Sequence, residues 1–512
     1  MTQTAFTLPF HERYEELQAL AAFYDHGWHH GAGFLLLYGR KGIGKTRLLQ
    51  QFLQEQAIAD VFYWQTPVWQ APPGDAAAQL QDFSQALLRY DPARDEPPSP
   101  DFSFFDWQTA LDHLAQIAEC SSDTKLFILE GFTELCHSEM GLSSYFQHAW
   151  DHRLKEIFNL RLIITGSHIS TMIREVLAYS APLYFRANAS LHLKPLRYTG
   201  LLDLFPDHTP EERLAIYAIT GGIPAYLTYF VQTPDVLTAI ENLCFAPGTP
   251  FLSDMEMLFD ERLEDPALCR AILTAVADGY GDPDGLSGRL GVPYDDLQPH
   301  LFFLRLFKLL DDQRSVHGPD IGRGVRHVLA EPSLYFYYQH LAPALEKQNS
   351  KETATAAYAS VQGAFGEKPF IALCREWIWA AVVTKQLGML PQRVGAYWND
   401  LASSPEFSIA AADPWQKKLL VGAGFWENGR LTPAVLKKII HDSQQLPQVR
   451  EEGWTVEQVI FGRWPFTEEI QAVADVTGVR LVTLAEIEPL LPAARTQLRW
   501  ERDNPSPVEI EF

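Results

Sequence analysis

Cysteine is scarce in this chain: five residues in 512, Cys120, Cys136, Cys244, Cys269 and Cys374, none in a CxxC pair. That spacing supplies neither a disulfide framework nor a zinc cluster, and buried free thiols are the expectation. Long apolar runs are missing as well. No stretch approaches the roughly 18 consecutive apolar residues of a membrane-spanning helix. The start, MTQTAFTLPFHERYEEL, lacks the basic opening and apolar core of a secretion signal. No membrane partner is expected, and a cytoplasmic location follows. Basic side chains are outnumbered, 41 Lys and Arg against 64 Asp and Glu, for a formal charge of −23. Such a surface repels phosphate backbones on average, so DNA binding is disfavoured and would require a local basic patch.

The remaining composition is that of an ordinary globular protein, 47% hydrophobic and 21% charged. Its length exceeds what one core normally supports and suggests roughly three domains. The clearest pattern is FLLLYGRKGIGKTRLLQQFLQ, residues 34 to 54. An apolar run reads as a buried parallel strand, GRKGIGKT fits GxxxxGK[ST], and the leucines that follow have helical spacing. Gly39, Gly42 and Gly44 let backbone N–H groups curl around phosphates, and the helix start adds its positive dipole end. Lys45 can then reach the β and γ phosphates, and the Thr46 hydroxyl is placed to coordinate Mg2+. ATP with Mg2+ is the cofactor pair this implies.

Such a site needs a second strand ending in an acid, to partner the metal and orient the attacking water. KLFILEG supplies one, with Leu126 to Leu129 as a buried strand and Glu130 at its end. A later strand, LRLIITGS, brings Thr165 and Ser167 to where a polar side chain can sense the γ phosphate; an ordinary buried strand and turn is the competing reading.

Several stretches resemble the archaeal-type ATPases, a branch of the STAND P-loop proteins. FHERYEEL at 10 to 17 is similar to the family's opening motif, with Arg13 matching and Glu12 in place of a glycine. LIITGSHISTM and APLYFRANASLHLKPL resemble two later segments, and YAITGGIPAYL at 217 to 227 is close to the family's GGIPxYL box. The resemblance implies an α/β architecture: a P-loop ATPase core with a parallel sheet (1–196), a helical lid (197–260), a winged helix (261–345) and a C-terminal α/β restriction-endonuclease-like domain (346–512). It also implies that Arg186 lies near the nucleotide or a neighbouring subunit, although Phe185 stands where the family has glycine.

In that family the second strand ends in Asp-Glu. Aligned on Phe132 and Leu135, this chain has Glu130 at the first position and Gly131 at the second, so the presumed base is missing. A register shifted by one makes Glu130 the base and deprives the metal of its acid. Either way one carboxylate is absent. Loss of a general base costs roughly 10²- to 10⁴-fold in rate, which predicts binding with slow turnover unless Glu134 substitutes.

Between about 262 and 345 the pattern is three helices and a β element: PALCRAILTAVADGY, DGLSGRLGV, PYDDLQPHLFFLRLFKLLDD, then LLDDQ and RHVLAEPSLYFYYQHL as a wing. The third helix carries Asp295, Asp296 and Gln298 near its start, with Arg305 and Lys308 further on, which favours a structural or protein-binding role over reading DNA. Arg314, Arg323 and Arg326 in the wing are the residues that would argue otherwise. The last domain resembles a PD-(D/E)XK nuclease stripped of its chemistry: Ser408 at the aspartate position, Ala423 at the glutamate, Phe425 at the lysine and Ile371 at the helix glutamate. Metal-dependent cleavage needs clustered carboxylates and a lysine or its equivalent, so no nuclease activity is expected. Trp377, Trp379, Trp398, Trp415, Trp426 and Trp454 read as core. The whole points to a slow ATPase acting as a nucleotide-dependent switch or scaffold for a protein partner or for self-association. The alternative is an active ATPase of DNA processing that uses the winged helix.

Overall fold

The computed structural model describes residues 8–25, 31–67, 76–233, 235–245, 249–257, 265–317, 324–345, 355–356, 359, 366–399 and 405–493. They fall into two compact units. One comprises residues 8–195 together with Ile223–Ala225; the other comprises Leu196–Gly222 and the chain from Tyr226 onward. Among the described residues no helix is long and apolar enough to cross a membrane.

The first unit is built on five parallel strands: β1 (Gly33–Tyr38), β2 (Val61–Gln65), β3 (Lys125–Glu130), β4 (Leu160–Gly166) and β5 (Ala189–His192), in the order β2-β3-β4-β1-β5. Strands β1, β3 and β4 are covered on both faces, which is why they read as unbroken apolar runs rather than alternations. Helices α1 (Tyr14–Asp25), α2 (Lys45–Glu55), α3 (Ala76–Tyr90), α4 (Trp107–Glu119), α5 (Phe132–Ser138) and α6 (Leu142–His152) flank the sheet. Aromatic packing fills the space between the layers: Phe34 against Trp150 with ring centres 4.9 Å apart, and Trp64 and Trp107 both against Phe83 at 5.1 and 5.2 Å.

This topology positions the site. From β1 the chain crosses to the far edge at β2, returns through β3 and β4, then passes over β1 to β5. The strand order therefore reverses beside β1, and ligands of open α/β sheets bind at the carboxyl ends of the strands at such a switch point. Those ends carry Gly39, Glu130 and Gly166.

In the second unit, helices Pro266–Ala277, Pro283–Leu290 and Tyr294–Leu306 precede an antiparallel hairpin, β6 (Leu310–Arg314) with β7 (Val325–Leu329). The third helix stops earlier than its sequence pattern suggests, because Lys308 turns left-handed at φ 57° and the residues after it enter β6. Similarly, RHVLAEPSLYFYYQHL is a strand only to Leu329, since Pro332 opens a helix there. The C-terminal sheet has the order β12-β11-β10-β9-β8, with β8 (Arg393–Tyr397), β9 (Phe407–Asp413) and β10 (Lys418–Phe425) antiparallel and β11 (Thr455–Gly462) and β12 (Arg480–Thr483) parallel to β10. Helix Glu367–Val383 lies across it, with Trp377 edge-on to Phe461 at 5.2 Å. A buried ion pair, Arg213 Nη2 to Glu488 Oε2 at 2.6 Å, is joined by the Tyr198 hydroxyl, which donates to Glu488 at 2.5 Å. Two expectations are corrected here: Cys120 is exposed whereas the other four thiols are buried, and Trp415 is 79% exposed, on the turn between β9 and β10, rather than in the core.

Candidate functional site

The phosphate loop leaves β1 at Tyr38 and enters α2 at Lys45. Its turn requires left-handed backbone at Gly42 (φ 76°) and Gly44 (φ 98°), where a side chain is strained. Gly42 has a second reason to be glycine: a Cβ there would lie 2.7 Å from the Ala225 Cβ. The Ala225 N–H donates to the Gly42 carbonyl at 3.1 Å, so the Ile223–Ala225 part of the GGIP box packs directly on the loop. Arg13 braces the same loop, its Nη2 donating to the Ile43 carbonyl at 3.3 Å while Nη1 pairs with Glu16 at 3.0 Å.

Lys45 is buried, and its ammonium donates to the loop's own carbonyls, Gly39 O at 2.9 Å and Arg40 O at 3.1 Å. Burial pulls its pKa down to about 8 against the opposing charges of Glu134 and Glu130. Glu130 is reached by two hydroxyls, Thr46 Oγ1 donating to Oε1 and Tyr63 OH donating to Oε2. Burial and that bond to the carboxylate push the Tyr63 pKa upward, so the phenol stays a donor at neutral pH.

Gly131 is the left-handed N-cap of α5, at φ 87°. A Cβ on it would sit 3.0 Å from both Cβ and Oγ1 of Thr66, whose hydroxyl is fixed by donation to Glu130 O at 2.9 Å and Gly131 O at 3.1 Å. Because α5 starts at once, Glu134 comes back over this point. Its Oε2 lies 3.6 Å from where the Gly131 Cβ would be and accepts from Thr133 Oγ1 at 2.7 Å. His168 approaches the other oxygen of Glu134 at 3.9 Å, and its ring packs on His137 with centres 5.1 Å apart.

Of the residues singled out in the sequence, Gly39, Gly42, Gly44, Lys45, Thr46, Glu130 and Glu134 converge on one end of the sheet, with Arg13 behind the loop. The Ser167 N–H donates to Thr133 Oγ1 at 3.1 Å, on the Glu134 side of the site. Arg186 is not brought to the loop. Its guanidinium is held by Asp151 of α6 at 2.8 to 3.1 Å and by the Tyr184 carbonyl. Glu12 (φ 54°) and Phe185 (φ 59°), the two positions where the resemblance calls for glycine, both keep left-handed backbone. Sequence reasoning missed Tyr63, Thr66, Thr133 and His168. The alternation in VFYWQ separates Tyr63 from the buried Phe62 and Trp64, but only the β2–β3 register, Tyr63 opposite Ile128, puts it diagonal to Glu130.

No family model matches the chain. It is 26% identical over 440 residues to an uncharacterized protein of Methanocaldococcus jannaschii, covering 85% of this chain and 90% of that one. Among solved structures it is similar to a Walker-type ATPase of Pyrococcus abyssi, with 18% identity, 64% of this chain and 96% of that chain covered, and a TM-score of 0.46. It is also similar to the ORC2 protein of Aeropyrum pernix, with 16% identity, 70% and 97% covered, and a TM-score of 0.32. Within this chain, the parallel sheet and the glycine loop at its switch point fit a P-loop ATPase core.

Proposed function

We propose that this chain binds ATP with Mg2+ at the phosphate loop, hydrolyses it slowly, and acts as a nucleotide-dependent switch or scaffold. The convergence of Lys45, Thr46 and Glu130 at the switch point carries the reading. Loop N–H groups and the start of α2 would receive the phosphates, and Lys45, leaving Gly39 O and Arg40 O, would neutralise the β and γ oxygens. The residues fit Mg2+: the Thr46 hydroxyl and the Glu130 carboxylate already touch, and both are hard oxygen donors. Among the described residues no cluster of three or more His, Cys, Asp or Glu offers a metal cage, so the ion would arrive with the nucleotide's own oxygens. When bound, it neutralises phosphate charge. Tyr63 holds Glu130 in place for that task.

Slow turnover is favoured because Gly131 offers no base and Glu130 is committed to Thr46 and Tyr63. Glu134 supports residual hydrolysis: its Oε2 lies 3.6 Å from where a Gly131 Cβ would be, and its charge acts on Lys45 ahead of that of Glu130. Membership of the archaeal-type STAND ATPases is supported by the box segment on the loop and by the left-handed Glu12 and Phe185. A winged helix is supported by the three helices and hairpin of the second unit. A chemically silent nuclease-like domain is supported by Ser408 and Ala423 on neighbouring strands, with Ile371 packed at Gly424.

The DNA-processing alternative has weaker support. Arg326 is engaged by Glu406 at 2.6 Å and stacks over Trp398 at 4.6 Å, Arg305 pairs with Asp312 at 3.0 Å, and Arg323 lies outside the described residues. A protein partner or self-association through the second unit is the preferred outlet of the switch. Single-turnover hydrolysis and ATP affinity, measured on the intact chain and on Lys45→Ala, test the proposal. Loss of binding in the variant is expected. Turnover of about one per second or faster, ordinary for enzymes, would refute a slow switch. Salt-sensitive binding of duplex DNA at about 0.15 M salt would revive the alternative.

A further inference from the structure

A cavity of about 560 Å3 opens in the second unit between hairpin β6–β7, helix Glu367–Val383 and β9. That volume suits a small organic ligand. Most of its wall is apolar, including Leu214, Val328, Pro369 and Ile371, with Tyr335 offering an aromatic ring.

Two cations stand on this wall. Arg375 donates from Nε and Nη2 to the Ser408 carbonyl at 3.1 and 2.5 Å, and Gln313, its amide oxygen turned to the guanidinium, accepts from Nη1 at 2.7 Å. These partners are neutral oxygens. They satisfy N–H groups without cancelling the charge, and among the described residues no carboxylate lies within ion-pair distance of Arg375. The Lys368 ammonium sits 4.2 Å from the centre of the Tyr335 ring and donates to Ala277 O at 2.8 Å, with the charge of Asp278 acting on it. Burial lowers both groups, to about 10 for Arg375 and about 8 for Lys368.

Three acids also line the cavity. Asp311, Asp312 and Glu376 stand on the wall, Asp312 engaged by Arg305 at 3.0 Å and His327 at 2.8 Å. They oppose a polyanion, so the ligand has one anionic group directed at Arg375 and an apolar body.

We propose that this cavity binds a small organic anion, one phosphate or carboxylate on a flat apolar body, with Arg375 and Lys368 as its counter-charges and Tyr335 against its face. A planar guanidinium held in place by backbone and amide oxygens suits either anion. The cavity is lined by the second unit alone, and its existence does not depend on ATP binding at the phosphate loop.

The test is calorimetry on the full chain carrying Lys45→Ala, so that the loop does not take up the probes. Phenyl phosphate, benzoate and neutral benzyl alcohol are titrated separately. Saturable one-to-one binding of at least one anion is expected, at least tenfold tighter than benzyl alcohol, and the stronger of the two identifies the head group. Arg375→Gln should weaken it roughly ten- to hundredfold, the value of a charged hydrogen bond. Because Arg375 also ties the helix to β9, Ala372→Trp provides an independent arm: Ala372 lines the cavity from an exposed position, so the indole fills the space while the fold is kept. Abolished binding with an unchanged melting temperature supports the site. Anion binding no tighter than that of benzyl alcohol, or surviving Ala372→Trp, overturns it.

Discussion

Replacing Gly131 with glutamate looks like the way to restore a missing base, and the structure says it will fail. The residue sits at φ 87°, where a side chain costs about 1–2 kcal/mol. Its Cβ would press on Thr66 at 3.0 Å, and Thr66 cannot turn aside without giving up its bonds to Glu130 O and Gly131 O. A loss of about 2 kcal/mol is the expectation from the backbone with some crowding added. For a unit of this size, 1 kcal/mol is worth about 2–4 °C, so the melting transition of the first unit should fall by about 4–8 °C. Gly131→Ala, which carries the backbone cost without the acid, should fall by a similar amount. Single-turnover hydrolysis should not rise in either variant, because the new carboxylate would enter space already used by Glu134. A Gly131→Glu protein that melts like the parent and hydrolyses ATP tenfold faster or more would refute both the steric account and the assignment of Glu134.

Glu134→Gln should leave ATP affinity within a few-fold and reduce the remaining hydrolysis roughly 10²- to 10⁴-fold, measured in single turnover; an unchanged rate would remove Glu134 from the site. Lys45, with its pKa lowered to about 8 from 10.5, is bound to its proton less tightly folded than unfolded, so its contribution to stability rises with pH between those values. Nucleotide phosphates beside the ammonium would raise its pKa again, so ATP binding at pH 8.5 should take up a fraction of a proton and weaken as pH climbs, with no uptake near pH 6.5; calorimetry in buffers of different ionisation enthalpy reads this directly. In the second unit, Glu488→Ala would leave Arg213 buried without its counter-charge and should cost about 3–5 kcal/mol by chemical denaturation. Substituting both partners with apolar residues should recover much of that loss.

How much of this was legible in the sequence depended on whether the signal was local. The phosphate loop was readable because its glycines, lysine and threonine do their work within eight consecutive residues, Gly39 to Thr46. The strand carrying Glu130 was readable because burial on both faces leaves an uninterrupted apolar run. Tyr63 and Thr66 were not, since their importance comes from lying beside β3, a pairing across more than sixty residues that no short pattern encodes. Arg186 illustrates the limit of a motif position: the resemblance places it near the nucleotide or a neighbouring subunit, and within this chain its guanidinium is engaged by Asp151 and the Tyr184 carbonyl. The wing was overextended in sequence for a related reason: apolar residues after Leu329 fit a strand or a helix equally, and Pro332 decides for the helix.

The hold of the loop on its own lysine has a consequence for nucleotide selectivity. Gly39 O and Arg40 O already occupy the Lys45 ammonium, so an incoming ligand competes with an internal rival that must be displaced before any phosphate contact is gained. A triphosphate meets that cost with several charged oxygens, a diphosphate with fewer, and a nucleoside with none. The loop would therefore sort nucleotides by how many phosphates they bring.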